Sequence, residues 1–325
     1  MGFLDLAVQN LMSPMVLFFA LGAVAAFARS DLTVPEAVAR LLSLYLLMSI
    51  GFKGGAEVAH SGLTSQVVGA LIAGIFLSAG IPVVAYALLR FGTKLSPIDA
   101  ASVAGHYGSI SAVTFAAITG VLNHMSIAYE GYMAAVAAAM ETPAIFTALA
   151  LAQRSGTTMQ TTRGFGLLRE VALNGSIVTL LGSFLIGSIT GHRGLTMLKP
   201  FLVDVFPGFL CLFLLDMGII AGQGLLRGWR LLSTPVILFG FVMPILGASL
   251  AGGLAFFLGL SPGGTAILLT LAASASYIAV PAAMRIALPQ ANLSIALTLA
   301  LGVTFPFNLT IGIPLYIAAA SLIAG

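Results

Sequence analysis

Ten apolar runs punctuate this chain, most of them close to the ~20 residues a helix needs to cross a bilayer. They fall at 13–28, 35–52, 65–89, 97–120, 129–153, 171–190, 201–223, 233–259, 264–288 and 292–322. The runs are continuous rather than alternating every second residue, which predicts transmembrane helices and not a β-barrel. Backbone polar groups inside lipid must be satisfied within the protein, so the expected fold is an all-α polytopic membrane protein in a lipid bilayer. Composition agrees: 59% of residues are hydrophobic and 7% charged, against roughly 25% charged in soluble proteins. The first run ends in Ala26-Phe27-Ala28, which has the shape of a cleavage site. No Lys or Arg precedes it, so it reads as a retained span and not as a signal peptide.

Several function classes fall away. The net charge is only +3 and no basic stripe exists, so no nucleic acid partner is expected. The single cysteine, Cys211, excludes an internal disulfide and a cysteine metal cluster. No G-x-x-x-x-G-K-[ST] loop occurs, so ATP is not the driver. No H-E-x-x-H element occurs, no enzyme is expected, and no cofactor is expected.

The chain also repeats itself. Met48-Ser49-Ile50-Gly51-Phe52-Lys53-Gly54-Gly55 resembles Leu215-Asp216-Met217-Gly218-Ile219-Ile220-Ala221-Gly222. At the same offset, Ser109-x-x-Ala112-Val113-x-x-Ala116 aligns with Ser276-x-x-Ala279-Val280-x-x-Ala283. Ser126-Ile127-Ala128 then matches Ser294-Ile295-Ala296. The common order predicts two halves, 1–153 and 171–325, joined by a short cytoplasmic linker at 154–170. Five spans per half is an odd number, so the halves insert with opposite orientation as inverted repeats. Arg29, Arg40, Arg90, Lys94, Arg154, Arg163, Arg169, Arg227, Arg230 and Arg285 fall on one side of the spans; Lys53, Arg193 and Lys199 fall on the other. The excess places the first side in the cytoplasm and both termini on the extracytoplasmic side of a plasma (inner) membrane.

Two spans carry Gly, Pro and hydroxyl residues at mid-membrane depth, at matching places in the halves. They are Gly108-Ser109-Ile110-Ser111 with Thr114, and Ser274-Ala275-Ser276-Tyr277 followed by Pro281. Paired interruptions of this kind mark the binding site of a secondary transporter. A half-helix that starts inside the membrane offers unpaired N–H groups and the positive end of its dipole. Serine caps such a start and donates hydrogen bonds, and glycine lets backbone come close. Two facing starts make a small electropositive pocket for a small monovalent anion without Lys or Arg. Gly108, Ser109, Ser111, Ser274, Ser276 and Tyr277 are the expected substrate-binding residues. Freed carbonyls and hydroxyls on the other side of each break suit Na⁺, with Ser111, Thr114, Thr304 and Asn308 as candidates.

Glu141 lies in an apolar run before Thr142-Pro143, where an acid is costly and serves either a cation or proton site or a satisfied structural bond. Asp216 reads as structural, His106 as a packed side chain and Arg285 as a topology anchor.

The elements at 108–111, Glu141-Thr142-Pro143, Ala272-Ala273-Ser274-x-Ser276 through Pro281-x-x-x-Arg285, and Pro306 with Pro314 carry a likeness to a known family. Residues 101–151 and 265–317 resemble the sodium-dependent bicarbonate transporter family, best known from cyanobacteria. The resemblance implies Na⁺-coupled bicarbonate uptake, substrate between the two broken helices, elevator-type movement of a core against a gate domain, and a homotrimer. It also implies a PII-like regulatory protein on the cytoplasmic face, although the central insert is short here. Members of that family carry an acid where this chain has Tyr277. The leading expectation is therefore Na⁺-driven uptake of bicarbonate or a similar small anion. The alternatives are a Na⁺-coupled organic-anion (carboxylate) symporter, a passive anion channel and an intramembrane enzyme using Glu141 and Asp216.

Overall fold

A computed structural model describes residues 3–62, 64–154, 173, 175–277 and 279–324. Among these residues every regular element is helical. The expected linker lies, beyond Arg154, outside the described residues, as do the first residues of the sixth expected run.

In chain order the helices are α1 (Phe3–Leu11), α2 (Pro14–Phe27), α3 (Glu36–Ser61), α4 (Ser65–Gly92), α5 (Pro97–Gly108), α6 (Ala112–His124), α7 (Met133–Ala139) and α8 (Pro143–Arg154). There follow α9 (Gly175–Lys199), α10 (Phe206–Gly228), α11 (Thr234–Leu258), α12 (Pro262–Ala273), α13 (Ala279–Ala287) and α14 (Leu293–Ile323). Among the described residues, seven stretches are long and apolar enough to cross a membrane: Glu36–Ala59, Ser65–Gly92, Met133–Arg154, Gly175–Asp204, Phe206–Leu231, Thr234–Leu258 and Leu293–Ile323. The protein is thus a multi-pass membrane protein. Helix starts follow a repeated sequence device. Ser13-Pro14, Ser96-Pro97 and Ser261-Pro262 each place serine at the N-cap, accepting from the amides of Val16, Asp99 and Gly264, and proline where no donor is needed.

Two helix pairs share one contact chemistry. In α3, Gly51 and Gly55 lie so close to α9 that an added Cβ would strike the carbonyl oxygens of Leu180 and Phe184. In α10, Gly218 faces the Phe19 carbonyl of α2, and Gly222 faces Ala23 and Ala26. Small residues let helix backbones approach within lipid, where no hydrophobic drive separates them from the tails.

The same glycines explain where α3 departs from expectation. It continues to Ser61 rather than ending near residue 52, because Gly51, Gly54 and Gly55 are packed against α9 and Gly131 instead of breaking the helix.

Three further features differ from the runs. Helix α1 precedes the first of them, and its Asn10 side chain donates to the carbonyls of Leu309 and Thr310 in α14. Pro314 has no N–H to give Thr310, so Asn10 supplies a donor that the helix lacks. The 129–153 run is two helices, parted at Met140, Glu141 and Thr142. Ser78 of α4 bridges that gap by donating to the Met140 carbonyl and accepting from the Ala144 amide. Helix α14 is irregular, with wide π-type turns at Ala300–Thr304 and Asn308–Gly312 around Pro306.

Candidate functional site

Both serine-bearing segments are helix interruptions. Helix α5 ends at Gly108, and Ser109 takes an extended conformation (φ −88°, ψ 146°). Ser111 caps the start of α6, its Oγ accepting from the Thr114 amide at 3.2 Å. Helix α12 ends at Ala273, and Ser274 is also extended (φ −83°, ψ 163°). The chain stays non-helical through Tyr277, and α13 begins at Ala279.

The two interruptions touch. The Ser111 amide donates to Ser274 Oγ at 2.9 Å, and Ser274 Oγ in turn donates to the Leu271 carbonyl at 2.8 Å. The Ser276 amide donates to the His106 carbonyl at 2.7 Å. Each break therefore satisfies part of the other's freed backbone, the condition for irregular chain in the interior of a membrane protein. Ser109, Ser111, Ser274 and Ser276 are each no more than 3% exposed.

Beside the contact lies a cavity of about 10 Å³ lined by Ile110, Ser111, Ala112, Glu141, Ser176, Ser276 and Tyr277. That is about one probe sphere, the least that holds a water. Two polar atoms of its lining, Glu141 Oε2 and the Tyr277 hydroxyl, lack hydrogen-bond partners among the described residues, as does Ser109 Oγ two residues before Ser111. The Tyr277 hydroxyl approaches the Ser111 side chain without closing a hydrogen bond of good geometry. Its ring stacks edge-on against Phe305, with centroids 5.8 Å apart. At the start of α6 the amides of Ala112 and Val113 have no acceptor within the helix, as for any first turn. Unsatisfied donors and acceptors at one buried point are what a small polar guest requires.

The remaining expected residues divide. Thr114 lies one turn into α6, buried beside the cap. Gly108 faces Pro82 and Ala144, so its missing side chain serves the packing of α5 on α4 and α8. Thr304 and Asn308 are occupied. The Tyr107 hydroxyl hydrogen-bonds Thr304 Oγ1, which donates to the Gly240 carbonyl at 2.9 Å. Asn308 donates to the Ala273 carbonyl and accepts from Tyr316, both at 2.8 Å. Asn308 thereby holds the last turn of α12, one residue before Ser274. His106 is fully buried; its Nδ1 donates to the Ser102 carbonyl at 2.7 Å, which leaves Nε2 an acceptor with no partner among the described residues. Asp216 is buried in α10 and does not line the cavity. Arg285 is exposed in the last turn of α13.

Sequence reasoning missed two supports. Ser78 holds the gap that presents Glu141; Thr142-Pro143 was its only signal. Glu130 accepts from the Ser261 amide and hydroxyl at 2.8 and 2.9 Å, fastening the loop before α7 to the start of α12. Gly263 and Gly264, isolated in the sequence, admit the Ala128 carbonyl and this carboxylate at close range. A larger cavity, about 330 Å³, lies between α2, α3, α6 and residues 202–207 and contains Lys53, Asn123 and His124. Its lining includes no residue of the two breaks.

Fold and site together define a multi-pass helical membrane protein in which two interrupted helices meet at a buried polar point. The chain belongs to the Na⁺-dependent bicarbonate transporter superfamily, whose family model matches residues 14–321, nearly the whole length. Comparison with curated proteins gives no match.

Proposed function

We propose that the protein takes up bicarbonate, or a closely similar small anion, together with Na⁺, and that the anion sits where the two broken helices meet. The observation that carries this reading is the reciprocal contact of the breaks around a cavity holding unpartnered polar atoms. The first amides of α6, the hydroxyls of Ser109, Ser111 and Ser276, and the Tyr277 hydroxyl supply the donors, while Ser274 ties the two breaks together beside the anion. Membership of a Na⁺-dependent family supports sodium as the coupling ion. Among the described residues Glu141 is the only carboxylate lining this cavity, which favours it over Thr304 and Asn308 as the cation's anionic partner. Thr114 and Ser111 add oxygens from α6.

The cavity holds little more than a water in this conformation, so the site is closed and opens by separation of the two breaks. The small size supports bicarbonate over a large organic carboxylate. The repeat in sequence is supported by the α2–α10 and α3–α9 pairs, in which each aligned glycine packs closely against the partner helix. Ten crossings in two inverted halves, elevator movement and a trimer complete the proposed architecture. The cluster of Arg and Lys at one set of helix ends supports a cytoplasmic position for that face and extracytoplasmic termini.

The test is uptake into proteoliposomes by the double variant Ser109→Ala with Ser276→Ala. It is expected to lose transport while keeping its helical signal and its elution as a single species. Normal uptake by that variant would sink the site assignment.

A further inference from the structure

Far from the helix breaks, three membrane-spanning stretches end together: Ser65–Gly92, Phe206–Leu231 and Thr234–Leu258. Helices α4 and α11 run antiparallel. At one end they are tied, because the Gln66 side chain donates to the carbonyls of Leu258 and Gly259 at 3.3 and 2.8 Å. At the other end they stand apart around an open groove of about 1110 Å³.

The groove's lining has two chemistries. Lys94 and Arg230 bring positive charge from the loop after α4 and the turn after α10. Both are exposed, and neither pairs with an acid among the described residues. Among the described residues no acidic side chain lines the groove. Phe91 and Trp229, 92% and 59% exposed, add aromatic surface at the level where the spans end. Ser233 caps α11 without using its side chain on the helix, so its hydroxyl and the Thr234 amide are left as donors at the positive end of a 25-residue helix.

We infer that this groove is a binding site for an anionic glycerophospholipid. Its phosphodiester would sit between Lys94, Arg230 and the Ser233 cap, with acyl chains running down the apolar face beside Phe91 and Ile237. Exposed aromatics at the ends of membrane helices belong at the headgroup level. Basic pockets between such helices recognise anionic headgroups. A soluble anion uses the charge but not the aromatic surface; a zwitterionic lipid uses the aromatic surface but cancels the charge. Only a lipid of net negative charge matches both halves of the lining. A lipid held there bridges α4 to the turn between α10 and α11.

Trp229 is the single tryptophan of the chain, so its emission reports on the groove alone. Purified protein in a neutral detergent is titrated with short-chain phosphatidylglycerol, with phosphatidylcholine of the same chains, and with inorganic phosphate. A saturable change in emission with phosphatidylglycerol is expected, at least tenfold tighter than with phosphatidylcholine and absent with phosphate. The double variant Lys94→Ala with Arg230→Ala should keep the unliganded spectrum, which checks its fold, and weaken phosphatidylglycerol binding at least tenfold. Equal binding of the two lipids, or a double variant that binds as well as the parent, overturns the assignment. Saturation by phosphate alone would show a soluble-anion site and equally overturn the lipid.

Discussion

Ser274 sits at the most connected point of the crossing. Its Oγ both accepts from the Ser111 amide and donates to the Leu271 carbonyl, so Ser274→Ala leaves the Ser111 amide unpaired and removes one of the two donors to that carbonyl, which keeps the Ser274 amide. Interhelical hydrogen bonds in membranes are worth about 0.6–2 kcal/mol. The variant should therefore fold with a modest loss of thermal stability and lose most uptake, and melting curves alongside transport rates check both. Glu141→Gln keeps size and removes the charge proposed to partner Na⁺. Its uptake should fall at least tenfold, as read from a Na⁺ titration at fixed bicarbonate, while its melting temperature stays within a few degrees. An unchanged Na⁺ response would remove Glu141 from the cation site.

The serine pairs were legible in sequence because they recur at one offset next to glycine or proline. That Thr304 and Asn308 spend their side chains on Gly240, Ala273, Tyr107 and Tyr316 was not legible. Those partners lie on other helices, or along an irregular one, and hydroxyl and amide residues look alike whether they bind a guest or a neighbour.

At the scale of the element, the gap between α7 and α8 depends on Ser78, a residue some sixty positions away in sequence. Ser78→Ala removes both hydrogen bonds that cover the gap and should lower stability by about 1–3 kcal/mol. Ser78→Thr, which retains the hydroxyl, should restore part of it. Apolar run length located the long helices well. It failed at the gap because alanine and methionine continue the apolar pattern up to Glu141, and no glycine marks the break. It also cut α3 short, because glycines that loosen a helix in water allow close packing in lipid. Gly55→Leu should therefore disrupt the α3–α9 pair rather than straighten α3, since a side chain there meets the Phe184 backbone. Loss of monodisperse protein, against an unaffected Gly80→Leu control in open space, checks this point.

For the whole molecule, the crossing and the glycine-backed pairs assign different tasks to different parts. The α2–α10 and α3–α9 pairs are locked backbone to backbone. The crossing is held by a few hydrogen bonds around a cavity of about one water. The proposed alternating access to a buried anion needs such a centre, one that can open without unfolding its surroundings. The measurement that tests this account most directly is uptake of labelled bicarbonate into proteoliposomes, with and without an inward Na⁺ gradient at fixed pH. Saturable uptake that requires the gradient is the predicted result, and it would mean that this chain couples sodium with Tyr277 in place of an acid. Uptake that neither saturates nor responds to Na⁺ would contradict it, as would no uptake by folded protein under either condition.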